Sequence, residues 1–175
     1  MNQSIFENDE TELEISFYLN GSPVRVSIKP SDTAIETLRN KLGLKSVKEG
    51  CGIGECGACT IILDRKAVNA CLILAAQLDG RSIHTTEGLA ENGDLNYLQR
   101  AFLDKSAVQC GFCTPGMLMS AKVLLDNSNK PSRDMIKQAI SGNLCRCGGY
   151  VQIVEAIEEA AATRLEHPSN EAVDK

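Results

Sequence analysis

The sequence lacks tryptophan and has few other aromatic residues: three tyrosines and four phenylalanines among 175 residues. Aliphatic side chains must therefore form most of any core. Hydrophobic residues make up 43% of the chain and charged residues 23%, a composition that is typical of globular proteins and excludes a purely disordered chain. The length allows one or two small domains.

A long hydrophobic run is also missing. No segment approaches the roughly 20 apolar residues that a membrane-spanning helix needs. Residues 1–14 carry five acidic residues, no basic residue and no apolar segment of the kind found in secretory signal peptides. We therefore predict a cytoplasmic protein without a membrane partner, in which residues 1–11 form an acidic N-terminal extension.

The chain has no surplus of basic residues in either half. There are 9 basic and 12 acidic residues before Gly88, and 9 basic and 11 acidic residues from Gly88 onward. A nucleic-acid-binding protein needs a basic face that displaces counterions from phosphates. The charge distribution therefore argues against a nucleic-acid partner.

Histidine is scarce, and nothing in the sequence indicates an acid–base catalytic site. His84 and His167 stand far apart and are interpreted as a strand-end residue and a tail residue rather than as metal ligands. No paired carboxylates have a spacing typical of general acid–base catalysis. No catalytic residue is therefore predicted on this chain.

Hydrophobic periodicity predicts an α+β organisation for the first half. Two alternating segments on either side of Asn20-Gly21 predict a β-hairpin. The capping-box spacing of Thr33 and Glu36 predicts a helix over residues 33–42, which Gly43 ends. Further short strands are expected at residues 60–63, 67–72 and 82–85, with a turn at residues 64–65.

From Gly88 onward the apolar residues follow a helical period. Four helices are predicted, near residues 95–102, 115–125, 135–140 and 151–165. Thr114 is expected to cap the second helix, with Pro115 at its first position, and Ser132 to cap the third. Four helices in succession indicate a small bundle. Residues 166–175 are predicted to be a polar C-terminal tail.

The most unusual feature of the composition is its eight cysteines, all of which lie between Cys51 and Cys147. In a reducing compartment, clustered thiols are more typical of metal ligands than of disulfides. Eight is also twice four, the number of protein ligands that a zinc ion or a [2Fe-2S] cluster takes.

The first four cysteines have the spacing of plant-type [2Fe-2S] ferredoxins. Cys51, Cys56 and Cys59 follow the pattern C-x4-C-x2-C, and Cys71, expected on a strand, is the predicted fourth ligand. Four glycines at residues 50–57 remove Cβ atoms that would hold the backbone away from an inorganic core. A zinc site is the alternative, but structural zinc usually pairs two C-x2–4-C motifs, so the spacing favours iron–sulfur.

The second four cysteines precede two of the predicted helices. Cys110 and Cys113 come before the second helix, and Cys145 and Cys147 come before the fourth. Helix N-termini favour anionic ligands, so the two pairs are suited to a second tetrathiolate centre. By spacing alone, this group also fits a zinc ion or a redox disulfide.

Three segments together resemble a known family. Residues 50–60, 108–116 and 142–150 are similar to the iron–sulfur (small) subunit of the molybdenum hydroxylases, of the xanthine dehydrogenase, aldehyde oxidoreductase and carbon monoxide dehydrogenase type. The similarity extends over residues 12–165. It implies an N-terminal β-grasp, plant-ferredoxin-like domain at residues 12–87 and a C-terminal four-helix domain at residues 88–165, each with one [2Fe-2S] cluster.

The resemblance also implies roles for individual residues. It assigns Cys51, Cys56, Cys59 and Cys71 to a cluster that faces a flavin, and Cys110, Cys113, Cys145 and Cys147 to a cluster that faces a molybdopterin. In this family, a glutamine and the last cysteine of these motifs contact the pterin; here they are Gln109 and Cys147. Gly148 stands where many relatives have threonine, but this position holds no ligand.

The resemblance implies an electron-transfer subunit of an oxidoreductase. Electrons pass from a molybdopterin cofactor on a large subunit to FAD on a medium subunit, while the substrate is hydroxylated on the large subunit. Xanthine and other purines, or other N-heterocycles, are the favoured substrates, which points to purine metabolism. Two alternatives remain: a free-standing two-cluster ferredoxin and a zinc-stapled interaction module.

Overall fold

The structure, a computed structural model, describes residues 12–90 and 93–166. The predicted N-terminal extension and most of the predicted tail, with His167, lie outside the described residues. Five strands come first: β1 (Leu13–Leu19), β2 (Ser22–Ile28), β3 (Thr60–Leu63), β4 (Lys66–Asn69) and β5 (Ser82–His84). The short helix α1 (Ala34–Glu36) follows β2, and α2 (Tyr97–Asp104), α3 (Thr114–Asn127), α4 (Arg133–Ala139) and α5 (Tyr150–Glu166) follow the last strand. The chain is therefore α+β, as predicted.

The five strands form one sheet in the order β2-β1-β5-β3-β4. β1 and β5 run parallel, and the other neighbours are antiparallel. The predicted first hairpin is confirmed: Asn20 and Gly21 join β1 to β2 with φ angles of 50° and 81°. Two residues with positive φ match the right-handed twist of a hairpin, and Asp64 and Arg65 do the same between β3 and β4.

The helix predicted over residues 33–42 forms in two parts. The capping box is present, because Glu36 N–H donates to Thr33 Oγ1 and Thr33 N–H donates to Glu36 Oε2. After Glu36 the winding widens into a π-helix over Thr37–Lys41, in which Leu42 N–H donates to the Thr37 carbonyl. The prediction of one regular helix is wrong in this part. Thr37 and Leu38, in this wider part, are fully buried.

The starts of α2 to α5 agree with the predictions to within two residues. Ser132 caps α4 as predicted, since its Oγ accepts from Met135 N–H. Thr114 is the first residue of α3 and not its cap, which corrects the prediction by one position. The reason is that the N-cap residue, Cys113, already has helical backbone angles, φ −78° and ψ −19°. Pro115 lies in the first turn, as expected.

The core has two parts that meet at the sheet. Ile61 of β3 belongs to a cluster with Phe17, Ile28 and Leu38 on one face of the sheet. Ile62, which points to the opposite face, belongs to the helical cluster. That cluster also contains Met117 and Met119, both fully buried. Among the described residues, no helix is long and apolar enough to cross a membrane.

Candidate metal centres

The loop that carries Cys51, Cys56 and Cys59 is shaped by glycine. Gly52, Gly54 and Gly57 have φ angles of 69°, 82° and 67°, a region that other residues rarely adopt. Gly50 is required for a different reason. A Cβ atom there would lie 2.8 Å from Cys56 Sγ and 3.5 Å from the ring of Phe112. Glycine at these positions therefore allows the backbone to turn sharply and leaves space around the Cys56 thiol.

Two pairs of thiols form in the first group. Cys51 Sγ accepts hydrogen bonds from the backbone N–H of Ile53 at 3.5 Å and of Glu55 at 3.3 Å, and it lies next to Cys56. The backbone N–H groups of Ile53 and Cys56, with a smaller contribution from that of Glu55, lower the pKa of Cys51 to about 7. The second pair is Cys59 and Cys71. Burial, together with the neighbouring Cys71 thiol, raises the pKa of Cys59 to about 11.

The prediction that Cys71 lies on a strand is wrong. β4 ends at Asn69, and Cys71 occupies a short 3-10 helix over Ala70–Leu72. The apolar run continues through this segment, so its periodicity gave no sign of where the strand ends. Ala70 N–H, at the start of this tight turn, donates to the Cys59 carbonyl, which places the turn beside Cys59.

The second group also forms two pairs, although its members lie far apart in sequence. Cys110 lies beside Cys147, and Cys113 beside Cys145. The backbone N–H of Phe112 lowers the pKa of Cys110, whereas burial raises that of Cys113 to about 12. Burial acts to raise the pKa of Cys145 as well, but the backbone N–H groups of Gly149 and its neighbours lower it. Donated N–H groups therefore stabilise one thiolate in the first group and two in the second.

The pairs of the second group stand at the helix starts, as predicted. Cys113 is the N-cap of α3, and Cys145 and Cys147 precede α5. The backbone N–H of Cys145 donates to the phenolic oxygen of Tyr150, in the first turn of α5, at 2.8 Å. This hydrogen bond orients the Cys145 backbone against α5.

The surroundings of the thiols bear on the kind of metal centre. A [2Fe-2S] cluster takes four thiolates in all, and hydrogen bonds from backbone N–H groups to its sulfur atoms stabilise its charge. The Cys51–Cys59 loop is shaped by glycines, and two of its N–H groups donate to Cys51 Sγ. These features fit a [2Fe-2S] cluster.

The two cysteine groups are in direct contact. Leu144 N–H donates to the carbonyl oxygen of Cys56 at 2.9 Å. Beside this contact, the side chain of Asn143 lies buried between the Cys51–Cys59 loop and α3. Sequence reasoning did not single out Asn143, since an asparagine in a polar loop carries no sign of burial.

Gln109 and Cys147, the residues that the resemblance links to a pterin, lie near each other at the surface. Both are exposed, and Gln109 Nε2 is 3.6 Å from where a Cβ atom of Gly149 would be. Arg146, between two cysteines, is exposed as well. His84 lies at the end of β5, where its Nε2 is 3.3 Å from Ser82 Oγ. Burial lowers the pKa of His84.

Comparison with known families gives two matches that together span most of the chain. Residues 17–90 match the family described as "2Fe-2S iron-sulfur cluster binding domain". Residues 85–158 match the family described as "[2Fe-2S] binding domain". Each match contains one of the two cysteine groups.

Individual relatives match over nearly their whole length. The nicotinate dehydrogenase small FeS subunit of Eubacterium barkeri is 47% identical over 149 residues, which cover 85% of this chain and 95% of the relative. The xanthine dehydrogenase iron-sulfur-binding subunit of Escherichia coli O157:H7 is 40% identical over 159 residues, covering 90% of this chain and 99% of the relative.

A solved structure agrees with these relatives. A chain of quinoline 2-oxidoreductase from Pseudomonas putida 86 superposes with a TM-score of 0.86 at 43% identity, covering 89% of this chain and 96% of that one. Both family matches, both relatives and the superposed structure agree with the resemblance that the cysteine motifs indicated. The chain therefore belongs to the iron–sulfur subunits of the molybdenum hydroxylases, and it is an electron-transfer subunit of an oxidoreductase, with two [2Fe-2S] clusters.

Proposed function

We propose that each cysteine group holds one cluster, in the division that the sequence predicts. Cys51, Cys56, Cys59 and Cys71 bind the first cluster, and Cys110, Cys113, Cys145 and Cys147 bind the second. The pairing of thiols within each group supports this division. When bound, a [2Fe-2S] cluster accepts and releases one electron at a time.

The chain conducts electrons from the molybdopterin of a large subunit to the FAD of a medium subunit. The observation that carries this proposal is the hydrogen bond from Leu144 N–H to the Cys56 carbonyl, which joins the residue before Cys145 to a residue of the other group. The chain's own residues hold the thiolates, donate N–H groups to sulfur and keep the two loops in contact. Such hydrogen bonds and burial are the means by which a protein tunes cluster potentials.

Exposed apolar side chains lie beside both cysteine groups, which supports the proposal that the chain binds two protein partners. Next to the first group, Ile53 is 68% exposed and Leu72 61% exposed. Next to the second group, Leu144 is 57% exposed and Val151 56% exposed. Apolar side chains gathered at one site are typical of binding surfaces. The first surface binds the medium subunit. The second binds the large subunit, where Gln109 and Cys147 contact the pterin.

The architecture follows the same division. Residues 12–87 form a β-grasp, plant-ferredoxin-like domain, and residues 88–165 form a four-helix domain. This proposal is supported by the strands, which lie within residues 13–84, and by α2–α5, which lie within residues 97–166. The cytoplasmic location stays a prediction from the sequence, based on its clustered thiols.

The substrate of the complex is an N-heterocycle. Relatives named for nicotinate and for quinoline, both N-heterocycles, support this class. A relative named for xanthine, a purine and thus also an N-heterocycle, keeps purine metabolism as the less supported candidate within this class. The substrate binds on the large subunit, so this chain contributes electron transfer and no substrate contact.

Metal analysis and co-purification test the proposal. The chain, purified without oxygen together with its partners, is expected to contain about four iron and four acid-labile sulfide. Stoichiometric zinc without visible absorption would instead support the zinc-stapled module. Tagged chain expressed from its native operon is expected to retain two partners, one with molybdopterin and one with FAD. Iron–sulfur clusters without either partner would overturn the relay and support the free-standing ferredoxin.

A further inference from the structure

We propose that Asn143 is a positioning residue that holds the two cysteine loops in register and thereby sets the rate of electron transfer between the clusters. The inference rests on the proposed function, because it needs one cluster in each group. Asn143 binds no metal in this assignment. Its role follows from the three hydrogen bonds of its side chain.

The side chain of Asn143 is buried, with 3% of the residue exposed, and it bridges three segments. Its Nδ2 donates to the Gly57 carbonyl at 2.9 Å and to Thr60 Oγ1 at 3.1 Å. Its Oδ1 accepts from Ser120 Oγ of α3 at 2.7 Å. A buried polar network that is fully hydrogen-bonded is rigid and specific, because the low local dielectric makes any unpaired member costly.

The bridge is next to metal ligands at both ends. Gly57 follows Cys56 directly, and Asn143 is two residues before Cys145. Between them, Leu144 N–H donates to the Cys56 carbonyl at 2.9 Å. A shift of the Asn143 side chain therefore moves the backbone hydrogen bond that joins the two cysteine groups.

The hydrogen bonds of this bridge require the amide of asparagine, and the backbones meet closely beside it. A Cβ atom on Gly116 would overlap the Gly57 carbonyl oxygen and lie 3.0 Å from Asn143 Nδ2. Residue 116 therefore has no room for a side chain, and the Asn143 amide packs directly against the Gly57 carbonyl. Aspartate has the right shape but no donor for the Gly57 carbonyl, and leucine has neither donor nor acceptor.

The test uses Asn143→Asp and Asn143→Leu in the complete complex. The fully reduced protein is studied by low-temperature EPR, in which the magnetic coupling of two neighbouring clusters splits their signals. We expect full iron content, a smaller or lost splitting, and slower electron transfer between the clusters. Hydrogen exchange at the Leu144 amide is expected to be faster.

Asn96→Leu is the matched control. Asn96 is also a buried asparagine, but it caps α2 within the helical part, where its Oδ1 accepts from Gln99 N–H at 3.0 Å. This variant is expected to lower the melting temperature and to keep the splitting. Normal splitting and transfer rate in both Asn143 variants, at full iron content, would overturn the proposal.

A milder variant covers the case in which the Asn143 variants do not fold. Ser120→Ala removes one of the three hydrogen bonds and leaves the asparagine in place. It is expected to reduce the splitting and the rate by a smaller factor, and no change in either would also overturn the proposal. Failure of the proposed function gives a different result, because the unaltered complex would then lack two coupled clusters.

Discussion

Gly116 of α3 packs against the carbonyl oxygen of Gly57 so closely that a Cβ atom at residue 116 would overlap that oxygen. This contact joins the loop of the first cysteine group to the helix that begins at the second group. It brings Asn143 within reach of both. The two metal centres therefore depend on an interface in which backbone packs directly against backbone, with the Asn143 side chain beside it.

Gly116→Ala is expected to lower the stability of the protein by about 1–3 kcal/mol, since an added methyl group in a tight contact forces the backbones apart. Thermal unfolding followed by circular dichroism measures the change. The control is Gly142→Ala, because a Cβ atom there has no other atom within 4 Å. Equal melting temperatures for the two variants would contradict the tight contact.

Cysteine variants test the division of the eight ligands. Cys51→Ser and Cys110→Ser are each expected to lower the iron content from about four to about two per chain, because each removes a ligand of one [2Fe-2S] cluster only. The EPR signal that is lost in Cys51→Ser is expected to persist in Cys110→Ser. The signal that is lost in Cys110→Ser is expected to persist in Cys51→Ser. Each variant is therefore the control of the other. Loss of the same signal in both would refute the assignment of four ligands to each cluster.

Glu87 is expected to make stability depend on pH below the ordinary glutamate range. Neighbouring atoms shield its carboxylate and act to raise the pKa, but hydrogen bonds from Ser46 and Thr85 outweigh this effect and lower it. A carboxyl group whose pKa is lower in the folded state stabilises the protein fully at pH values above its unfolded-state pKa, which is near 4.5 here. This contribution is lost as the pH falls through the lower, folded-state pKa.

Glu87→Gln is therefore expected to be less stable than the natural chain at pH 7, and this difference is expected to close below about pH 4. Because Glu87 is exposed, the difference is expected to stay below about 1 kcal/mol. Urea unfolding of both proteins across this pH range measures it. Glu155→Gln, on the exposed face of α5, is the control and is expected to show no such pH dependence. A difference that grows toward low pH would have the wrong sign.

Tyr150→Phe is expected to disturb the second centre alone. The substitution removes the oxygen that accepts from Cys145 N–H, at a cost of about 1 kcal/mol in stability. The reduction potential of the second cluster is expected to shift, and that of the first to stay unchanged. Redox titration followed by EPR separates the two clusters.

Tyr18→Phe is the matched control for this substitution, because Tyr18 lies on β1 and is 56% exposed. It is expected to change neither the stability nor the potentials. Equal effects of the two tyrosine substitutions would mean that the hydrogen bond to Cys145 has no particular role at the second centre.

Short-range features of this protein were predictable from the sequence because their causes are local. Asn20-Gly21 predicted the first hairpin, since both residues accept the positive φ that the turn requires. The spacing of Thr33 and Glu36 predicted a capping box, and Ser132 a helix start. The spacing of Cys51, Cys56 and Cys59, with its glycines, predicted a loop able to surround a cluster. Each of these signals depends on residues within about ten positions of one another.

The tertiary structure decided what depends on distant residues. β5 lies between β1 and β3, where Asn20 Oδ1 accepts from Thr85 N–H at 2.8 Å. Cys110 pairs with Cys147, and Cys113 with Cys145, only because the helical core brings the starts of α3 and α5 together. The role proposed for Asn143 depends on its hydrogen bonds to Gly57, Thr60 and Ser120, which are distant from it in the sequence. No local signal predicts such contacts, since their energies depend on burial and on segments tens of residues apart.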